Sequence, residues 1–408
     1  MSALKTGGSI GRAEVGVTAP RPVLLRILSV ARGVVRLLLS ATALVAAVSL
    51  RVFRRVVWIR IGAMDGRRLG HWAMDVELYL AGREVDRSAD FVDLFHYRTP
   101  PCNGALARRV SRTLRVVPWI GRVDRWNRLL PHAELHVVPL GGTPGARSRD
   151  VRGLLSRTRP HLAIDPPQGP SVEADLLRLG LSADATWVCM HARDRRWLSE
   201  TIPSQDWSYH DYRDSDIDTC RLAAVEMVRR GLAVVRMGAR VKKPFDCADP
   251  RVIDYAWRGR TEELDLQLTA RSQFCVCDTS GFWALAALFR RPVVWVNFIP
   301  MEYVPGWATN HLVIFKKLRD LQTGRMLTFR QVLESGAGRF LRTEQYERMG
   351  VEVVANTPEE IRDAVAEMDD RLRGTWAGSK DDEDLQRRFW SLLRTGELNG
   401  RFDLRAGA

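Results

Sequence analysis

From residue 56 onward, short apolar runs take turns with stretches of helical period. V-V-W-I-R-I-G-A-M (56–64) and A-D-F-V-D-L-F-H-Y (89–97) read as strands. H-W-A-M-D-V-E-L-Y-L-A (71–81) reads as the helix between them, and a further helix starts near Asn103. A Gly/Pro/Arg-rich stretch at 139–153 and P-P-Q-G-P at 166–170 read as loops. The alternation restarts at Ala185: T-W-V-C-M is a strand, and D-I-D-T-C-R-L-A-A-V-E-M-V-R-R a helix closed by Gly231. L-A-V-V-R-M-G, R-V-I-D-Y-A, F-C-V-C-D and P-V-V-W-V-N continue the strands, with helices E-E-L-D-L-Q-L-T-A-R and F-W-A-L-A-A-L-F among them. After the strand V-E-V-V, Thr357 is placed as an N-cap, Pro358 at the first helical position and Glu360 to close a capping box. Alternation of this kind predicts parallel βαβ units and an α/β protein. The segmentation is 56–180 and 181–376 as two facing Rossmann-like domains, with a tail at 377–408 that carries a helix.

The chain before residue 56 follows a different pattern. Residues 1–21 are rich in Gly, Ser and Ala and read as a disordered N-terminus. Residues 22–55 are apolar with arginines at 26, 32, 36, 51, 54 and 55, and the uncharged stretch Leu37–Leu50 falls short of the ~20 residues that span a bilayer. A basic apolar segment of this kind suits an anionic membrane interface. A core helix and a true span are the competing readings; a signal peptide fits less well, because arginines closely follow the apolar core.

Composition narrows the partners. Hydrophobic residues at 46% and charged residues at 27% describe a folded chain. Sixty-two Lys+Arg against 48 Asp+Glu give +14, an excess that attracts anions. The arginines are dispersed and carry no helix-turn-helix, RRM or zinc-finger pattern, so nucleic acid is not the expected partner. Six cysteines include no CxxC pair, and Cys275 and Cys277 share one face of a strand as packed core residues. No metal framework is visible, and the usage suits a reducing cytoplasm.

Candidate chemistry gathers at the ends of the predicted strands, where open α/β folds bind their ligands. T-W-V-C-M runs into His191, Arg193, Arg195 and Arg196; L-A-V-V runs into Arg236 and Gly238; F-C-V-C runs into Asp278-Thr279-Ser280-Gly281 before a helix. Arginines match phosphate oxygens, and a small-residue turn at a helix start offers N–H groups, so the three tips together describe a diphosphate pocket. Taken singly, each is also an ordinary surface loop or cap. His210, Tyr212 and Arg213 are placed near the same rim. Asp214, Asp216 and Asp218 mimic a metal-holding DxD, but they precede a helix, where capping accounts for them. In the first half, Arg67-Arg68-Leu69-Gly70 leads to His71 at a helix start, a candidate general base with a capping role as its alternative. Glu77 and Asp75 on the following helix are rival bases.

H-A-R-D, Y-R-D-S-D-I-D-T, R-M-G, I-D-Y-A, D-T-S-G-F-W-A and N-T-P-E-E-I, with L-G-H-W-A-M-D-V-E-L-Y-L near the start, resemble a family of bacterial glycosyltransferases over roughly residues 60–375. The resemblance implies a GT-B-like plan, with the donor nucleotide mainly on the second domain. The H-x-R turn is also similar to the arginine turn of fucosyltransferases that bind GDP-fucose. Cys220 and Asp278 stand where the family pattern has Tyr and Gly or Ser. The expectation is a metal-independent glycosyltransferase without a cofactor, moving a sugar from a nucleotide-diphosphate donor to a glycan or lipid-linked acceptor. His71 and Glu77 are its catalytic candidates. His191, Arg193, Arg213, Arg236, Gly238, Asp278, Ser280 and Gly281 are its donor-binding candidates. It would work in surface polysaccharide or glycoconjugate synthesis, in the cytoplasm, on the inner face of the cell membrane. The alternatives are a polysaccharide pyruvyl transferase-like enzyme or a non-enzymatic basic protein of membranes or nucleic acid.

Overall fold

The computed structural model describes residues 22–86, 90–141, 148–162, 164, 170–308 and 310–393. The expected disorder of residues 1–21, residues 142–147 and 166–169 of the expected loops, and the end of the tail lie outside these.

Two parallel strands begin the first α/β unit: β1 (Trp58–Asp65) and β2 (Phe91–Thr99), in register from Trp58 opposite Phe91 to Met64 opposite Tyr97. Gly62 lies opposite Phe95, and a Cβ there would come within 2.4 Å of the Phe95 ring. α2 (Leu69–Val85) crosses between the strands; α3 (Gly104–Thr113), capped by Asn103, and α4 (Ile120–Asn127) follow. Among the described residues this sheet does not grow into the expected Rossmann-like sheet. Val116 bridges to Phe95 and Val137 to Ile61, each parallel and each a single bridge. Both valines sit in a V-V-P triplet, and Pro118 and Pro139 have no N–H with which to extend a ladder. The spatial order 116–β2–β1–137 is therefore a four-line sheet of which two lines are single contacts.

The second unit is complete. After α5 (Pro170–Arg178) come β3 (Trp187–His191), α6 (Arg196–Thr201), α7 (Arg221–Arg229), β4 (Ala233–Arg236), β5 (Val252–Ile253), α8 (Glu262–Arg271), β6 (Cys275–Cys277), α9 (Trp283–Leu288), β7 (Val293–Phe298) and β8 (His311–Phe315). The six strands run parallel in the order β5-β4-β3-β6-β7-β8. This is the doubly wound order, which reverses between β3 and β6. β3, β4, β6 and β7 are almost wholly buried, as strands covered on both faces must be. R-V-I-D-Y-A yields only a two-residue strand, and β8 closes an edge that the sequence pattern did not suggest. β9 (Lys317–Asp320) pairs antiparallel with β10 (Val351–Val354), on either side of α10 (Phe329–Glu334) and α11 (Thr343–Met349). α12 (Pro358–Arg373) starts as anticipated, with the Thr357 side chain accepting from Glu360 N and the reciprocal bond closing the box. It packs Ile361, Val365 and Met368 against Ala223, Ala224 and Met227 of α7. α13 (Lys380–Leu392) ends the described chain, with Phe389 against Phe315 and Phe329.

The two units touch along α2 and α9 and along α3 and α8. Gly70 meets Gly281 so closely that a Cβ on Gly70 would lie 2.8 Å from the Gly281 Cα. Arg109 pairs with Glu263 at 2.5 Å, and Glu262 accepts from Gly104 N at 2.7 Å.

Ahead of β1 stands α1 (Pro22–Val52), long and apolar enough by length and composition to cross a membrane. Its final third is docked. Ala43 and Ala47 are buried against Ile120 and Val123 of α4, Trp126 Nε1 donates to Ser40 Oγ at 3.1 Å, and Arg51 donates to Pro131 O and Asn127 O. Ser29, Arg32, Arg36, Ser40, Ala43 and Ala47 follow one another at three- and four-residue steps, so they form one stripe along the helix. The domain takes the lower part of that stripe. Ile27, Val30, Val34 and Leu38 stay exposed.

Candidate active-site cleft

The carboxyl ends of β3, β4, β6 and β7 and the start of α2 enclose a cleft of about 380 Å³. It opens at the reversal of strand order, where folds of this kind hold their ligands. Six arginines (68, 149, 193, 213, 240 and 260) line it against two carboxylates, Asp194 and Asp265. Both acids are already used. Asp194 accepts from the Arg196 and Lys242 N–H groups, and Asp265 holds Arg260 at 2.6 Å. Arg193 and Arg240 have acid partners outside the lining, Asp214 and Glu200, and the cleft keeps a net positive character that would favour an anion.

The wall at the strand tips comes from three turns. After β3, the Arg193 N–H donates to Asp278 Oδ2 at 2.6 Å, which locks the β3 tip to the β6 tip. The Arg193 guanidinium is 7% exposed, pairs through Nη1 with Asp214, and keeps Nη2 without a hydrogen-bond partner. Burial, then the Arg213 guanidinium beside it, bring its pKa down to about 10. Arg213 donates to Thr279 O. His191 stacks on Phe282 at 5.3 Å, and its Nδ1 lies 3.2 Å from Ser280 Oγ. Burial lowers its pKa, so it is neutral. Gly238 follows β4 at φ 155, where a Cβ would meet Val241 Cγ1 at 2.6 Å.

The facing wall is the start of α2. His71 Nδ1 lies 2.8 Å from Ser148 Oγ, and the Ser148 hydroxyl donates to Asp75 Oδ1 at 2.7 Å. Because that hydroxyl proton points to the carboxylate, its oxygen accepts from Nδ1–H, which leaves Nε2 with its lone pair free. The residue is exposed to the cleft although protein atoms crowd its ring. That enclosure, then the guanidiniums of Arg68, Arg213 and Arg149, lower its pKa to about 4. Arg68 makes no ion pair among the described residues. The arrangement is a neutral imidazole, oriented by a hydroxyl and a carboxylate, facing a cluster of arginines.

The structure brings His71, His191, Arg193, Arg213, Gly238, Ser280 and Gly281 to one cleft. Arg195 and Arg196 pair with Asp211 and Glu200 away from it, and three of the catalytic and donor-binding candidates do not line it. Glu77 is fully buried on the far side of α2, where Arg290 Nη2 lies at 2.8 Å and the His161 N–H at 3.1 Å; it ties the two units together and is not a base. Arg236 is 1% exposed and pairs with Asp254 at 2.9 Å beneath the sheet edge. Asp278 lies under the turn and shapes it through the Arg193 N–H. The acids at 214–218 are all engaged: Asp214 with Arg193, Asp216 as the cap of the turn at 217–220, and Asp218 with Arg221. Tyr212 lines the cleft, while His210 does not; the two join Tyr209 and Tyr346 in an aromatic stack. Sequence reasoning misses Arg68, Arg149 and Ser148: Arg68 figures there only as part of the loop before His71, and the other two sit in the stretch read as loop.

No family model matches this chain, and no curated protein matches it significantly. Among solved structures it is similar to the Escherichia coli ADP-heptose LPS heptosyltransferase II at 14% identity, over 76% of this chain and 100% of that one, with a TM-score of 0.35. It is similar to a glycosyl transferase family 9 protein from Veillonella parvula at 10% identity, over 78% and 98%, with a TM-score of 0.40. It is also similar to the E. coli heptosyltransferase WaaC with ADP-2-deoxy-2-fluoro heptose, at 12% identity over 63% and 93%, with a TM-score of 0.34. Similarities of this strength leave function to the geometry of the cleft.

Proposed function

We propose that the protein is a glycosyltransferase that moves a sugar from a nucleoside-diphosphate donor to an acceptor hydroxyl. The observation that carries this reading is the His71–Ser148–Asp75 relay facing the arginine cluster. In the reaction, the acceptor O–H bond breaks and its proton passes to His71 Nε2. The acceptor oxygen bonds to the anomeric carbon, and the carbon–oxygen bond to the diphosphate breaks with its electron pair. The departing diphosphate gains negative charge facing Arg193 and Arg213, which are stationed where that charge develops. Asp75, through Ser148, then stabilises the imidazolium. Every proton and charge is handled by protein side chains, so no metal is invoked. α1 supports a membrane setting: with its final third docked on α4, the rest of the helix keeps exposed apolar side chains interrupted by Arg26, Arg32 and Arg36, a pattern that suits an anionic interface. It would lie in the plane of the inner membrane surface and hold the cleft near a lipid-linked or surface-glycan acceptor.

Thermal unfolding measured with UDP, GDP, CDP, CMP, dTDP and ADP tests the donor. One nucleoside diphosphate should raise the melting temperature, with a stabilisation of about 2.7 kcal/mol at a hundredfold excess over its Kd. No shift with any of them would remove the donor pocket.

A further inference from the structure

A second cavity, of about 940 Å³, shares no lining residue with the first. It lies where α1, α4 and the end of β2 meet. Arg36 enters from α1, Arg98 from β2, and Arg122, Arg125 and Arg128 from α4 and its end. Asp124, its single carboxylate, is buried and committed to His96 at 3.3 Å and Arg128 at 2.9 Å. Arg36, Arg98, Arg122 and Arg125 make no ion pair among the described residues. Four guanidiniums without counter-charge around one hollow repel each other unless an anion joins them. The hollow continues the stripe of α1 that carries Arg32 and Arg36, beside the exposed apolar side chains of the same helix. Trp126 fixes one wall through its bond to Ser40.

We propose that this cavity binds the phosphate-bearing headgroup of an anionic membrane lipid, whose acyl chains remain in the bilayer beside α1. Charge complementarity selects a phosphate, and the apolar face of α1 selects a phosphate that is attached to a membrane. Guanidinium groups grip phosphate oxygens in pairs, so arginine is required beyond its charge. This inference rests on the membrane-surface reading of α1.

The test is co-sedimentation of the full chain with vesicles of phosphatidylcholine alone or mixed with phosphatidylglycerol. The native chain should prefer the mixed vesicles. R98A/R122A/R125A should lose that preference by on the order of a hundredfold, since each arginine near an anionic surface is worth about fivefold. R98K/R122K/R125K, which keeps the charge, should recover only part of it. These side chains are exposed, and an unchanged melting temperature shows that the fold is intact. Full recovery by the lysine variant would mean diffuse attraction, and retention of the preference by the alanine variant would mean another site; either overturns the proposal. If the native chain binds both vesicles equally, the headgroup site falls while the membrane reading stands. If it binds neither, both fall.

Discussion

On one side of the cleft, His71 stands at the start of a single helix laid over a sheet of two strands and two lone bridges. On the other, His191, Arg193, Ser280 and Gly281 stand at the tips of the two central strands of a six-stranded sheet, tied by the bond from Arg193 N to Asp278. In the proposed reaction the complete sheet would hold the charged end of the donor in one geometry, because its tips are fixed by neighbours on both sides. The short sheet carries one reactive side chain, oriented by a loop hydroxyl. Under the proposed function, chemistry and anchoring fall to different halves, and substitutions on the two walls should fail in different ways.

The largest expected effect is on the helix side. His71→Ala should lower turnover by about 10²–10⁴ and leave nucleotide affinity nearly unchanged, because in the proposed reaction the base meets the acceptor and not the diphosphate. Turnover measured beside nucleotide titration separates the two. Equal loss of both would move His71 to the donor side.

Within the sheet side, two arginines that look alike in sequence should separate. Arg236→Ala removes one partner of a buried pair and leaves Asp254 uncompensated, which should cost on the order of 3–5 kcal/mol of stability. Nucleotide affinity of the folded fraction should hold. Arg193→Ala should weaken nucleotide binding by about 1.5–3 kcal/mol, the scale of a charged hydrogen bond. Denaturant unfolding and nucleotide titration on both variants check the contrast, and reversed outcomes would move the pocket to the β4 edge.

Arg193 and Arg236 show how far the chain could be read. Each ends or follows an apolar strand, and the sequence places both at carboxyl ends. Both find an aspartate only in the fold, Asp214 for Arg193 and Asp254 for Arg236; what distinguishes them is that Arg193 lines the cleft and keeps Nη2 without a partner, whereas Arg236 lies beneath the sheet edge. Asp75 and Glu77 differ for a related reason. Two residues apart on a helix, they point in nearly opposite directions, and amphipathic spacing cannot say which face meets the cleft. The strands of the second unit were readable because both their faces are buried and they appear as unbroken apolar runs. β8 was not, although L-V-I-F is itself an apolar run; it is half-exposed at the sheet edge, and no helical pattern separates it from β7. The stunting of the first sheet was written in its two V-V-P triplets, whose meaning needs the register. Ser148 could not be anticipated, since a serine in a polar loop carries no signal until His71 and Asp75 stand beside it.

The smallest expected effect is a displacement along the pH axis. An ordinary imidazole titrates near 6.5, whereas enclosure and then the Arg68, Arg213 and Arg149 guanidiniums hold His71 at about 4. A base must be unprotonated, so kcat/KM should rise through pH 4 and lie flat above about pH 5. When a donor diphosphate occupies the cleft, its charge opposes those arginines and favours the imidazolium, so the limb in kcat should lie above the limb in kcat/KM. Arg68→Ala removes the charge that acts most strongly on His71 and should move the kcat/KM limb upward, toward but not beyond the ordinary value. Arg68→Lys should leave it in place. The same depression has a stability counterpart. Between about pH 4 and 6.5 the unfolded chain binds the proton that folded His71 refuses, so stability should rise with pH across that window, and His210, lowered to about 3, acts in the same direction. Rate profiles of the native chain and both Arg68 variants read this directly. A kcat/KM limb near 6.5 in the native chain, unmoved by Arg68→Ala, would mean that the arginine cluster does not act on the base, and the two walls would no longer be electrostatically joined.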